Sequence, residues 1–173
     1  MTAQQLEPLA NGGDANAQFV LGFYHEDGEG VEQDFAKAVH WYKKSAEQGN
    51  IHAQHNLGFS YYDGEGVKQD FAKATHWFKE AAEKGYSHAL FMLGLCYIKG
   101  EGVEQNYARA VHCYTKAAEQ GHAEAQYNLG VLYLKSKGIP KNPTNHIQAI
   151  IWFTKAAEQG HQGAIDALDK ITN

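Results

Sequence analysis

Blocks of sequence return every 36 residues along this 173-residue chain, and a period of that length leaves few folds open. Ala17, Ala53, Ala89 and Ala125 open successive blocks. Four residues on stand Leu21-Gly22, Leu57-Gly58, Leu93-Gly94 and Leu129-Gly130. Each block closes on a near-identical phrase: Ser45-Ala46-Glu47-Gln48-Gly49, Ala81-Ala82-Glu83-Lys84-Gly85, Ala117-Ala118-Glu119-Gln120-Gly121 and Ala156-Ala157-Glu158-Gln159-Gly160. A unit this short cannot bury an apolar face alone, so such repeats stack as a solenoid and present an extended surface to a partner. The period points to binding and away from catalysis.

Each block reads as a helical hairpin. In the second, Ala53, Leu57 and Tyr61 recur at helical spacing, with Phe59 and Tyr62 beside them. Asp63-Gly64-Glu65-Gly66 then breaks the helix, because glycine reaches the positive φ that a tight reversal needs. Asp70 offers a side-chain oxygen to the first amides of a second helix, and Asp34, Asn106 and Asn145 hold the same place in their blocks. That helix runs through Ala74, Trp77, Phe78 and Ala81 and stops at Gly85 in a C-cap position. Gly58 lies inside the first helix at a cost of about 1 kcal/mol relative to alanine. Such a residue implies that a ring of the paired helix, Phe78 or Tyr42, packs where its side chain would be. Trp41, Trp77 and Trp152 recur on the second helix, with Cys113 in their place in the third block. Their spacing reads as packing.

Composition excludes several classes. A formal net charge of −5 argues against nucleic acid, whose phosphates need a basic face. No apolar run approaches the roughly 20 residues of a membrane span, and the opening Met1-Thr2-Ala3-Gln4-Gln5-Leu6 lacks the basic start and apolar stretch of a signal peptide. A cytoplasmic chain is expected, or a periplasmic or secreted one if a leader has been removed. Cys96 and Cys113 are too few for a disulfide framework and have no metal-binding spacing. Reduced packing residues are expected. A bridge would need their Cα atoms within about 7 Å.

The recurring pattern A-x-x-x-L-G-x-x-Y-x-x-G-x-G-V-x-x-D-x-x-K-A-x-x-W-Y/F-x-K-A-A-E-x-G resembles the Sel1-like repeat (SLR) family, relatives of the tetratricopeptide repeat, over about residues 17–163. The resemblance implies an all-α, right-handed α-solenoid of about four helix-pair repeats and a role as an adaptor for protein complexes. The blocks are 17–52, 53–88, 89–124 and 125–163, within a single domain of residues 1–173. Residues 1–16 read as an N-terminal capping helix, since Gly13 lies one period before Gly49, and 164–173 as a C-terminal one, with Leu168 in the leucine position. Three departures stand out. His25 replaces the tyrosine found at Tyr61, Tyr97 and Tyr133, so a looser first hairpin is expected. Ser136 replaces the first loop glycine of block four, and the loop Lys135-Ser136-Lys137-Gly138-Ile139-Pro140-Lys141-Asn142-Pro143 is three residues longer than its counterparts. Such an insertion marks either a binding edge or the tolerance of surface loops.

In the related tetratricopeptide fold the first helices of the pairs line the concave face. Carried over by position, the third residue of each block gives Phe19, His55, Phe91 and Tyr127, and the seventh gives Phe23, Phe59, Leu95 and Val131. The tenth gives Glu26, Tyr62, Ile98 and Leu134. Spacings of four and three put each trio on one helix face, an aromatic and aliphatic trough suited to an apolar helix or extended peptide. The alternative is that these side chains are sealed in the seams between repeats. Asn56 and Asn128, in the fourth position, either pair with a bound peptide's main chain or satisfy groups at the seam. These rows hold almost no cations, with Lys99 and Lys135 at the rim, so a clamp for an acidic peptide terminus is disfavoured. One end of the chain is acidic around Glu26, Asp27, Glu29, Glu32 and Asp34, and the other basic, at Lys135, Lys137, Lys141 and Lys155. That polarity either orients a partner or is a solvated surface.

Motifs for chemistry are missing from the sequence. The Gly-x-Gly loops lack the third glycine and strand-to-helix setting of a dinucleotide site, and the acidic loops do not alternate as a calcium loop does. His40, His76 and His112 recur one repeat apart, too far to share an ion. His52, His55 and His88 form the remaining metal candidate, which zinc would require about 2 Å from one centre. Cysteine-rich members of the family have been linked to penicillin binding, but their dense cysteine pattern is lacking here, as is a serine followed by lysine at the spacing of that chemistry. The expectation is a non-catalytic scaffold, without cofactor or metal, binding a peptide or helix of a partner protein on its concave face. Monomers are expected. The alternatives are an inhibitor or immunity-type protein that neutralises a toxin or enzyme and, more remotely, a metal-dependent enzyme.

Overall fold

The computed structural model describes residues 1–172, and of Thr172 the backbone only. Asn173, the end of the expected C-terminal capping helix, lies outside the described residues. Among the described residues there are helices and turns but no strand. The chain divides into two compact units, Met1–Lys84 and Gly85 onward.

The first unit holds α1 (Ala3–Asn11), α2 (Ala15–Asp27), α3 (Phe35–Glu47), α4 (Ile51–Asp63) and α5 (Phe71–Glu83). Here α2 pairs with α3 and α4 with α5 as hairpins, while α1 packs on α2 and α3 on α4. The second unit repeats the scheme with α6 (Ser87–Lys99), α7 (Tyr107–Glu119), α8 (Ala123–Leu134), α9 (Asn145–Glu158) and α10 (Gln162–Thr172). Its hairpins are α6 with α7 and α8 with α9, joined by α7 against α8 and α9 against α10.

Local chemistry explains the helix limits. The side chains of Asp34, Asp70 and Asn106 each accept from the backbone N–H three residues on. This is the expected N-cap. Gly64 ends α4 at φ +79°, and Gly66, at φ +69°, lies directly on the Phe35 backbone, where no side chain fits. Block four departs from expectation. Asn145 is the first residue of α9, not its cap, and Thr144 precedes it without a capping bond. Instead the buried Asn145 amide donates to Ser136 Oγ at 3.2 Å and to the Pro140 carbonyl at 3.0 Å. The longer loop offers acceptors inside the hairpin, and the amide is spent on closing it.

Alanines let the helices approach, and one ring per hairpin fills the gap. A Cβ on Gly22, Gly58, Gly94 or Gly130 would fall 2.7, 2.6, 2.5 or 2.7 Å from Tyr42, Phe78, Tyr114 or Phe153 respectively. All four rings are fully buried or nearly so, each contributing roughly 1.5–3 kcal/mol. A polar seam accompanies them. Gln18, Gln54 and Gln126 donate to the carbonyls of Ala10, Ala46 and Ala118 in the preceding helix, at 2.9, 3.2 and 3.0 Å. Their side-chain oxygens accept from Gln48, Lys84 and Gln159. That pairing explains the Gln or Lys before the closing glycine: it satisfies the side-chain oxygen of a glutamine buried at the seam where its own block begins.

The tryptophans pack. Trp41 lies against the α1–α2 cluster and Trp77 against the α3–α4 cluster. Lys44 and Lys155 sit over Trp41 and Trp152, at 4.7 and 4.5 Å from the ring centroids. Cys96 and Cys113 are buried and not disulfide-bonded, and burial pushes the Cys113 thiol up to about 11.

Candidate binding surface

The three rows expected to line a groove have different fates. Third-position rings are half-buried, held between two other rings. Phe19 lies 6.0 Å from Tyr42 and 5.6 Å from His52. Phe91 stacks on Tyr114 at 5.8 Å and on His122 at 4.9 Å. Tyr127 packs 5.8 Å from Phe153 and stacks on His161 at 4.5 Å. His55 meets Phe59 at 4.8 Å and Phe78 at 6.2 Å. Within each unit, Phe19, Phe91 and Tyr127 thus tie one first helix to the start of the next, whereas these ring contacts of His55 stay inside its own hairpin.

Two of the histidines in these contacts also cap helices. His122 Nδ1 accepts from the Ala125 N–H at 3.3 Å, and His161 Nδ1 accepts from that of Ala164 at 3.2 Å. A ring nitrogen that accepts is unprotonated, so His161 presents Nε2–H to Glu124 Oε2, 3.0 Å away. His122 is held below the ordinary histidine range by burial, with His88 adding to the effect. Sequence reading named Asp and Asn caps at the second helices alone, and so passed over both histidines.

Reachable surface comes from the seventh and tenth positions. Phe23 is 41% exposed and Leu134 43%. Phe59, Tyr62, Leu95, Ile98 and Val131 are half-buried. Phe59 and Tyr62 lean on Phe78, with centroids at 5.3 and 6.3 Å. Asn56 is committed internally: its amide donates to the Tyr42 hydroxyl at 3.1 Å. That hydroxyl donates in turn to Glu26, and burial, aided by the carboxylate, raises the phenol above the usual tyrosine range. Asn128 holds the equivalent place in α8 and is half-buried.

In the second unit three expected residues converge. Tyr127, Val131 and Leu134 line a cavity of about 480 Å³, closed behind by Phe153 and on its far side by Gly163, Asp166, Ala167, Lys170 and Ile171 of α10, with Lys135 at the end of α8. Lys170 stands six residues after Ala164, the place of Val131 within its own block. Treating the last segment as a cap hid that relation.

Among the described residues no three His, Cys, Asp or Glu side chains are placed to hold a metal ion. The alternative built on His52, His55 and His88 therefore has no support in the geometry. No helix among them is long and apolar enough to cross a membrane.

The Sel1 repeat family model matches residues 15–50, 51–86, 87–122 and 123–161. Its register begins two residues before the alanines, where α2, α4, α6 and α8 start. A protective antigen present in uropathogenic Escherichia coli, with an SLR fold, superposes at a TM-score of 0.92 with 37% identity, over 97% of this chain and 35% of that one. A Sel1 repeat protein from Oxalobacter formigenes superposes at 0.86 with 35% identity, over 99% of this chain and 67% of that one. Cysteine-rich protein B of Helicobacter pylori, at 0.57 and 21% identity over 72% of this chain and 95% of that one, is alike in fold alone. The chain spans about a third of the length of the Escherichia coli antigen. No curated protein matches it in sequence.

Proposed function

The chain belongs to the Sel1-repeat family, and from that premise we propose that it is a non-catalytic interaction module holding a segment of a partner protein against the inner faces of its first helices. Proteins of this family generally mediate protein–protein interactions. One observation carries the surface: Tyr127, Val131 and Leu134 gather around a cavity of about 480 Å³ instead of disappearing into a seam. Its size suits the anchoring side chains of a docked segment. In the first unit the exposed Phe23 ring marks the corresponding row. An anchor of this kind gains from removing apolar area from water, and the rigid helices lose little order on binding.

Capture of proteins from the cells that make this chain tests the reading, with wild type compared to Phe23→Asp/Leu134→Asp. Both side chains are already partly exposed, so the variant is expected to fold. A protein retained by wild type and lost from the variant is the expected result. Equal capture by both rejects the inner faces as the binding surface.

A further inference from the structure

The cavity of the second unit says what chemistry its occupant carries, an inference that rests on the inner-face reading above. Its floor is apolar, built from Tyr127, Val131, Leu134 and Phe153, while two exposed cations line it, Lys135 from the C-cap of α8 and Lys170 from α10. Among the described residues neither lysine is engaged in an ion pair. The carboxylate on the lining, Asp166, already accepts from Gln162 Nε2 at 2.8 Å. The surrounding sequence is one-sided as well, since residues 125–157 contain four lysines and no acidic residue. Of those lysines, Lys137 and Lys155 lie over Tyr107 and Trp152. Among the described residues Lys135 has no such ring.

We propose that this cavity receives an acidic segment from within a partner chain. A leucine- or phenylalanine-sized side chain sits on the floor, and a neighbouring Asp or Glu carboxylate pairs with Lys135 and Lys170. The apolar floor fixes position, and the lysines select sign and raise the rate of encounter. A carboxylate brought beside an apolar wall is less screened than one at open surface, so the two features reinforce each other. The scarcity of cations in the lining rows of α2, α4, α6 and α8 disfavoured a clamp for an acidic peptide terminus. α10 changes the balance by carrying Lys170 into the seventh-position row.

Panning the full chain against a phage-displayed library of random dodecapeptides tests this, with enriched sequences remade as peptides blocked at both ends. Expected are sequences with Asp or Glu within about four residues of Leu or Phe. Their binding should fall at least about tenfold for Lys135→Gln/Lys170→Gln, and likewise from about 50 to about 500 mM NaCl. Both lysines are exposed, so the variant keeps the fold, checked by circular dichroism. Peptides free of acidic residues, lost on Leu134→Asp but indifferent to the lysine pair, overturn the acidic occupant and leave the inner-face reading standing. Peptides indifferent to all three substitutions, or a library without enrichment, overturn this inference; the reading itself then stands or falls on the Phe23→Asp/Leu134→Asp capture. Binding that requires a free C-terminal carboxylate also overturns it, as does self-association abolished by Leu134→Asp, which assigns the cavity to a second copy.

Discussion

Gly58 of α4 and Phe78 of α5 share one volume: a Cβ on the glycine would fall 2.6 Å from the ring. Alanine gains about 1 kcal/mol over glycine inside a helix, but overpacking a filled core costs about 1–3 kcal/mol. Phe78 is fully buried and has nowhere to retreat. Gly58→Ala is therefore expected to lower stability in a urea titration despite its better helix propensity. Gly58→Ala/Phe78→Leu should recover part of the loss. A more stable single variant would contradict the fit.

His25 is buried where the later blocks place tyrosine, and among the described residues its Nδ1 has no hydrogen-bond partner. In those blocks Lys73 lies over Tyr61 at 5.2 Å and Arg109 over Tyr97 at 5.6 Å. Lys37 is the equivalent cation in the first hairpin. His25→Tyr removes an unsatisfied polar atom and supplies a ring for Lys37, a gain of about 1 kcal/mol. A higher thermal midpoint is expected.

Asn145 closes the long loop of block four through Ser136 and Pro140. Asn145→Ala removes both bonds that hold the loop, at a cost of about 1 kcal/mol. Hydrogen exchange should quicken first in the loop and at the start of α9. Uniform exchange across the second unit would argue that the amide does not organise the loop.

His122 accepts from the Ala125 N–H only while Nδ1 is unprotonated. Its folded pKa lies below the ordinary histidine value, chiefly through burial. The unfolded chain thus takes up the proton first as pH falls. The stability it contributes is present above pH of about 6.5 and is lost as pH drops through the folded pKa. His122→Asn keeps a cap that does not titrate, as at Asn50, and should flatten the acid limb of stability measured between about pH 7 and 5. An unchanged limb would place the titration elsewhere.

Cys113 is buried with its thiol pushed up to about 11, and Cys96 is fully buried beside the α6–α7 core. Thiolate is the reactive form. Iodoacetamide at about pH 8 should leave the native chain unlabelled by mass spectrometry and add two groups after denaturation. Rapid native labelling would show that the α6–α7 hairpin opens.

Features whose cause is local were legible in the residues. Asp34, Asp70 and Asn106 cap because a short acceptor sits three residues before a free amide. Gly58 implied a ring because an expensive helix residue needs a compensating neighbour. Asn145 misled because three inserted residues supply other acceptors for its amide. The groove was legible as rows of side chains, but their fates were not. Phe91 and Tyr127 are engaged by His122 and His161, each from the start of the next first helix. Helical spacing describes which residues share a face and is silent on what covers it.

Periodicity alone determined that this chain is built of stacked helix pairs, because a 36-residue unit has one apolar face and can hide it only against its neighbours. The residues also gave the glycine turns, the caps of α3, α5 and α7, and a ring behind the helical glycine Gly58. Tertiary structure decided which side chains remain within reach: Leu134 and Phe23 stay exposed while Phe19 and Phe91 are wedged between rings. It also set Lys135 and Lys170 around one cavity, from segments that the sequence had read as repeat and end cap. Exposure and charge pairing depend on the distance between helices far apart in sequence, and that distance is fixed by packing.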